Sequence, residues 1–261
     1  MSPSPGQVLT VLSTKAQTVT TLARAGVISP TRPDRLVQTA AALLRWGPTL
    51  AAGYTVAAAR HPDEVGVVDE LGTVTFRQLH ERQNALAHAF AEDGIGPGDG
   101  IAIMCRNHRG FIDAVVACSK LGANALFLNT QFSKPQLTDV LERERPAALV
   151  YDQEFTDLLS EAEVDLKRYV AWHEPEEEGD DPVIEDLIAR HDPAPLSPPK
   201  EKGRQTILTS GTTGTPKGAS RSSRGIGPCH SPGASSPKRL GRRRRRTAGS
   251  LRRGRDAPGR G

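Results

Sequence analysis

The chain has 261 residues, enough for one or two domains, and its formal charge of +4 conceals a sharp division. Residues 220–261 hold 13 Lys/Arg and a single acidic residue, Asp256, whereas residues 1–219 hold 21 Lys/Arg against 29 Asp/Glu. The basic charge therefore belongs to the tail and says nothing about partners of the remainder. Three cysteines, Cys105, Cys118 and Cys229, without CxxC spacing argue against a disulfide framework or a zinc ribbon. The N-terminus lacks the charged start, apolar core and small-residue cleavage site of a signal peptide, and no apolar run reaches the ~18 residues of a spanning helix. The expected location is cytoplasmic, with Cys105 and Cys118 as buried free thiols.

Residues 1–28 are rich in Ser and Thr and receive no element. Asp34 is placed to cap a helix reaching Trp46, and Gly47-Pro48 forces a break before a second helix ending near Arg60. These helices either cover a core or make peripheral contact with the inner face of a membrane; the sequence leaves both open. Residues 65–68 and 73–75 read as short strands around the Leu71-Gly72 turn. Thr75 and Gln78 then form a capping-box pattern, followed by Phe76, Leu79, Gln83, Leu86, Ala87 and Phe90 at helical spacing. Strands are expected at 101–104, 125–128, 147–151, 169–172 and 206–209, with helices at 110–121, at 133–145 and from Glu154. Gly122 closes the first of these helices and Pro146 stops the second. Such alternation predicts an α/β fold with a largely parallel sheet covered by helices. Residues 174–182 read as an acidic loop, and four prolines in 192–200 lead to the last strand.

That strand delivers Thr209-Ser210-Gly211-Thr212-Thr213-Gly214-Thr215-Pro216-Lys217-Gly218. Glycines let backbone N–H groups approach oxyanions, hydroxyls donate hydrogen bonds, and the lysine adds positive charge, so the string suits phosphate. It is not the GxxxxGK[ST] loop, because Pro216 precedes the lysine and Gly218 follows it. The histidines His61, His80, His88 and His108 lie apart without ligand spacing and read as structural or solvent-facing, and no catalytic residue is assigned.

The ten-residue string resembles the signature loop of the AMP-forming adenylating enzymes, the superfamily of acyl-CoA synthetases, luciferases and peptide-synthetase adenylation domains. Val74-Thr75-Phe76-Arg77-Gln78-Leu79 with Asn84-Ala85-Leu86-Ala87, then Gly96-Pro97-Gly98-Asp99-Gly100-Ile101-Ala102-Ile103, and Leu121-Gly122-Ala123 leading to Asn129, are similar to other family segments in order and spacing. The resemblance implies residues 1–61 as an N-terminal helical extension suggestive of bacterial fatty-acyl-CoA synthetases, and residues 62–219 as an incomplete N-terminal AMP-binding domain. It further implies a two-step ligase: ATP and a fatty acid give an acyl-adenylate and pyrophosphate, and coenzyme A then displaces AMP. By similarity, Thr209, Ser210, Thr212, Thr213 and Thr215 hold the ATP phosphates, Gly211 and Gly214 permit the turn, Lys217 offsets charge, and Mg²⁺ accompanies the nucleotide.

The family's adenine, ribose and hinge segments, and the lysine of its rotating domain, have no counterpart in residues 220–261. That stretch has no Val, Phe, Tyr, Trp or Met, and is expected to be a disordered basic tail. Two accounts stand: a shifted reading frame in a GC-rich gene, which yields this composition, or a genuine basic module binding nucleic acid or a membrane by charge. The first is favoured, since no aromatic residue interleaves the arginines for base stacking, so no specific nucleic-acid or protein partner is expected.

Overall fold

The computed structural model describes residues 33–160, 164–174, 179–209 and 217–221, with Thr209 and the last segment described by their backbone alone. Helix α1 (Pro33–Trp46) starts on a proline, whose fixed φ suits a first helical position, and Asp34 lies inside the first turn rather than at the cap. After the break at Gly47, Thr49 caps α2 (Leu50–Arg60) by accepting from the Ala52 N–H. Strands β1 (Val65–Asp69) and β2 (Gly72–Thr75) pair antiparallel as a separate two-stranded sheet. The expected capping box of Thr75 and Gln78 is formed at the start of α3 (Phe76–Glu92).

The main sheet contains β3 (Gly100–Met104), β4 (Asn124–Phe127), β5 (Ala148–Asp152), β6 (Lys167–Trp172), β7 (Gln205–Thr209) and β8 (Lys217–Arg221), in the order β6-β5-β3-β4-β7-β8. The first five in that order run parallel, and β8 returns antiparallel to β7. Helices α4 (Arg109–Leu121), α5 (Lys134–Glu144) and α6 (Ile184–Arg190) fill the crossovers, and a 3₁₀ turn (Gln153–Leu159) stands where an α-helix from Glu154 was expected. Ser133 and Gln136 form the second capping box.

Because strand side chains alternate faces, each central strand feeds two cores. Ile101 and Ile103 of β3 and Ala148 and Val150 of β5 pack with α3, α4 and α6, through residues such as Phe90, Val115 and Leu187. Ala102, Met104, Leu149 and Tyr151 face the other way, against Leu137, Val140 and Leu141 of α5 and Phe155 and Leu159 of the 3₁₀ turn. A strand buried on both faces reads as a continuous apolar run, as Ile101-Ala102-Ile103-Met104 does. Gly122 ends α4 with φ +78, and a Cβ there would stand 2.4 Å from the Glu201 carbonyl oxygen, so the segment entering β7 passes directly over this turn. Among the described residues no helix is long and apolar enough to cross a membrane.

A polar knot sits between α3 and α4. Lys120 is buried; its Nζ donates to the Asn84 side-chain oxygen and to the His80 carbonyl, and Asn84 donates to the Pro193 carbonyl at 2.8 Å. Burial pulls the Lys120 ammonium down to about 7, with the Asp113 charge opposing. Unfolded, the same group titrates near ~10.4, so above pH 7 the unfolded chain binds a proton that the folded chain has released, and stability rises with pH. The thiols of Cys105 and Cys118, pushed up by burial, work in the opposite sense above ~8.5. The expected result is a urea midpoint that rises between pH 7 and ~8.5, by on the order of 1.4 kcal/mol per pH unit, and a shallower rise in Lys120→Met. Identical slopes in the two proteins would assign the pH dependence elsewhere.

Candidate phosphate-binding site at the carboxyl edge of the sheet

In a parallel sheet all strands end on one edge, and ligands of open α/β folds bind beyond that edge. β7 brings the predicted loop there. It ends at Thr209, β8 begins at Lys217, and these two residues are backbone partners across the hairpin. The pairing brings the two ends of the predicted cradle together. Ser210, Gly211, Thr212, Thr213, Gly214 and Thr215 lie outside the described residues. β8 continues through Ser220 and Arg221, which pair with Thr206 and Gln205. By donor chemistry the string fits a phosphate: hydroxyls, unhindered amides and one ammonium, with no carboxylate among residues 209–218 to repel it.

Two and three strands away from β7, by ~10–15 Å of strand spacing, the ends of β3 and β5 carry a cluster that was not singled out in the sequence. Cys105, His108 and Asp152 place their thiol, imidazole and carboxylate within 4.8 Å of one another. The Gly110 N–H donates to His108 Nδ1 at 3.1 Å, which leaves Nε2 as the protonated nitrogen, donating to Asp152 Oδ1 at 2.9 Å. Asp152 Oδ2 accepts from the Arg106 N–H at 2.6 Å, and the Cys105 thiol lies 3.7 Å from the Val150 carbonyl. The His108 ring also packs on Trp172 with centroids 5.0 Å apart.

Burial and the neighbouring Asp152 charge hold the Cys105 thiol well above its ordinary range, so it is a poor nucleophile and a poor metal ligand. Both imidazole nitrogens and both carboxylate oxygens are already used, so this donor set fits a brace better than a metal centre. It caps α4 and ties the loop after β3 to β5. Arg106 extends it outward, pairing with Glu154 and lying 5.5 Å over the Phe155 ring. A cavity of about 570 Å³ opens here, lined by Glu70, Arg106, Asn107, His108, Asp152 and Trp172 among others. Next in sequence to the lining residue Glu70 stands Asp69, whose carboxylate the forked Arg109 guanidinium holds down to about 2.

His108→Ala removes the α4 cap and leaves a buried Asp152 oxygen without its donor. The expected cost is about 2–4 kcal/mol of stability, from ~1 for the cap and ~1–3 for the unsatisfied oxygen. A urea midpoint unchanged from wild type would contradict the brace.

A parallel α/β domain with a hydroxyl- and glycine-rich sequence between its last two strands is an arrangement that nucleotide-handling domains use. The chain belongs to the AMP-binding enzyme family, whose profile matches residues 54–234. Long-chain fatty acid transport protein 1 of Rattus norvegicus is 28% identical over 187 residues, covering 67% of this chain and 29% of that protein. The 3-oxocholest-4-en-26-oate–CoA ligase of Rhodococcus rhodochrous is 25% identical over 182 residues, covering 60% of this chain and 30% of that one. Thus the chain spans about 30% of the length of these curated relatives. A solved structure described as a long-chain-fatty-acid CoA ligase from Rhodopseudomonas palustris superposes with a TM-score of 0.57 at 26% identity, covering 66% of this chain and 44% of that one. The N-terminal domain of FACL13 from Mycobacterium tuberculosis shares the fold, with a TM-score of 0.57 at 19% identity over 66% of this chain and 44% of that one. The α/β domain has the fold of the N-terminal domain of acyl-CoA-ligase-like enzymes, and the chain covers that N-terminal part.

Proposed function

We propose that these residues are the N-terminal part of an AMP-forming fatty-acyl-CoA ligase, and that the 261-residue chain does not complete the reaction by itself. The observation supporting this reading is the pairing of Thr209 with Lys217 at the carboxyl edge of a parallel sheet, which brings together the two ends of the predicted cradle, in a chain of the AMP-binding enzyme family. In the proposed reaction ATP and a fatty acid give an acyl-adenylate and pyrophosphate, and coenzyme A takes the acyl group with release of AMP. Thr209, Ser210, Thr212, Thr213 and Thr215 hold the β- and γ-phosphates through hydroxyls and amides, with Gly211 and Gly214 allowing the turn. Lys217 offsets the charge that grows on pyrophosphate as its bond breaks. With no carboxylate in the loop, Mg²⁺ is held there mainly by the phosphates themselves. A fatty acid is preferred as the acid because relatives named for long-chain fatty acids and for a sterol acid match this chain.

Residues 220–261 are read as out-of-frame sequence, since Arg, Gly, Pro, Ser and Ala dominate them and large apolar residues shrink to Ile226, Leu240 and Leu251. The test is to translate the coding DNA beyond Ala219 in its other two frames and to assay the enzyme that results. One frame is expected to resume an apolar α/β pattern, and that enzyme to catalyse ATP–pyrophosphate exchange with palmitate rather than with benzoate or an amino acid. Two nonsense frames sink the frameshift. Exchange with benzoate alone sinks the fatty-acid assignment and leaves the ligase reading intact.

A further inference from the structure

Helix α1 turns its better apolar face outward. Inward it offers only Ala42 and Trp46, which pack with Ala51 and Ala52 of α2. Outward, Leu36 is 56% exposed, Val37 68%, Leu43 51% and Leu44 87%, and Ala40 and Ala41 between them are exposed as well. At helical spacing these six residues cover a continuous arc of about 160°, wider than the apolar stripe a surface helix ordinarily presents to a core. The polar residues Asp34, Gln38 and Arg45 are confined to the far border of that arc.

Charge says what such a face meets. Residues 1–60 contain six Lys/Arg (Lys15, Arg24, Arg32, Arg35, Arg45 and Arg60) and one acidic residue, Asp34. Residues 61–219 contain 15 Lys/Arg against 28 Asp/Glu. Even leaving out Arg60, which is buried, the part of the chain that carries the apolar arc is basic by five to one, while the rest, at least to residue 219, is strongly acidic. A negatively charged surface attracts the first and repels the second, which selects an orientation as well as a partner.

We propose that α1 docks on an anionic phospholipid bilayer, with Leu36, Val37, Ala40, Leu43 and Leu44 entering the boundary between headgroups and acyl chains. The helix lies in the interface plane, as amphipathic helices of this pattern do, and among the described residues no helix is long and apolar enough to span the membrane. The inference stands independently of the ligase reading, because it uses only the α1 face and the charge division.

The test floats the 261-residue chain with phosphatidylcholine vesicles, with and without about 30% phosphatidylglycerol, at about 0.1 and 0.5 M salt. High salt screens the arginines of residues 220–261, which bind anionic vesicles by charge alone, and leaves the apolar contribution. Leu36→Glu with Leu44→Glu is compared with Gln38→Glu with Arg45→Gln, a pair that changes charge equally but outside the arc. Wild type is expected to partition more onto phosphatidylglycerol vesicles at low salt and still to float at high salt. There the Leu36/Leu44 variant should lose about tenfold in partition coefficient, and the control pair less than about threefold. Equal losses in both variants would overturn the proposal, since charge alone would then explain binding. So would a wild-type dimer that the Leu36/Leu44 variant converts to a monomer, which gives the face to a second copy. Absence of wild-type flotation, with crosslinks from residues 1–32 to Leu44, gives it to the chain's own N-terminus.

Discussion

The 261-residue chain, incubated with ATP, Mg²⁺, a fatty acid and coenzyme A, is expected to release no pyrophosphate above the rate without protein. In the proposed reading the phosphate loop contacts one end of ATP at most. Charge-assisted hydrogen bonds contribute only ~1.5–3 kcal/mol each, so the cradle alone does not replace adenine and ribose contacts. Orienting the α-phosphorus against a carboxylate supplies ~7–11 kcal/mol in favourable cases, and no described group is placed to do it. Lys217→Ala should therefore change nothing measurable in this chain. In the full-length enzyme that the proposed frameshift predicts, the same substitution removes a counter-charge beside the leaving pyrophosphate and should slow adenylation ~10²–10³-fold. Fatty-acid-dependent exchange by the 261-residue chain, abolished by Lys217→Ala, would show that this part suffices for the first step.

Much of this architecture is legible in the residues because the local signals agree with one another. Thr75 with Gln78 and Ser133 with Gln136 each form the reciprocal cap that their spacing implies, and Gly122 takes the left-handed conformation that ends α4. Apolar runs such as Ala-Leu-Val-Tyr before Asp152 announce doubly buried strands, since no polar face needs to alternate with them. What escaped has physical reasons. Helix α6 is only seven residues long, too short for a clear period, and its buried positions are Ile184 and Leu187 alone. The 3₁₀ turn after β5 begins with the same Gln-Glu-Phe pattern that would start an α-helix, and Phe155 and Leu159 are satisfied by either geometry. Strand β8 begins on the lysine that closes the loop, in a Gly/Ser-rich run with no apolar alternation to mark a strand. The brace of Cys105, His108 and Asp152 joins residues 44 positions apart for its hydrogen bond. Only the fold brings them together; the available hint was an aspartate closing a buried strand. Thr209 and Lys217 are the legible part of the candidate site, and the hairpin pairs them.

Replacing Arg82 by alanine is expected to be the most damaging single change to the fold, at about 3–5 kcal/mol, because it strands a buried carboxylate. Asp113 on α4 is wholly buried; its Oδ2 accepts from Arg82 Nε at 2.8 Å, and its Oδ1 has no hydrogen-bond partner among the described residues. The rest of the guanidinium grips Glu185 at the start of α6, with Nη1 donating to Oε2 at 2.8 Å. One side chain of α3 thus ties α4 and α6 together. Burial lifts the Asp113 carboxyl to about 6, while Arg82 pulls it down. Unfolded, it titrates near ~3.9, so its folded pKa is raised: its contribution is most favourable below ~3.9 and is lost as pH rises through 6. Without Arg82 the folded carboxyl climbs further, and the loss extends above neutrality. The cost of Arg82→Ala should therefore be largest at pH 7.5 and shrink toward pH 5, where Asp113 takes up a proton and needs no counter-charge. Arg82→Ala with Asp113→Ala should be less destabilised at pH 7.5 than Arg82→Ala with Asp113 intact, since the stranded charge is gone. Urea denaturation of wild type, both single variants and the double variant at both pH values decides it. A cost for Arg82→Ala that is independent of pH, or additive with Asp113→Ala, would mean that lost packing of the arginine stem, rather than the uncompensated charge, accounts for the damage.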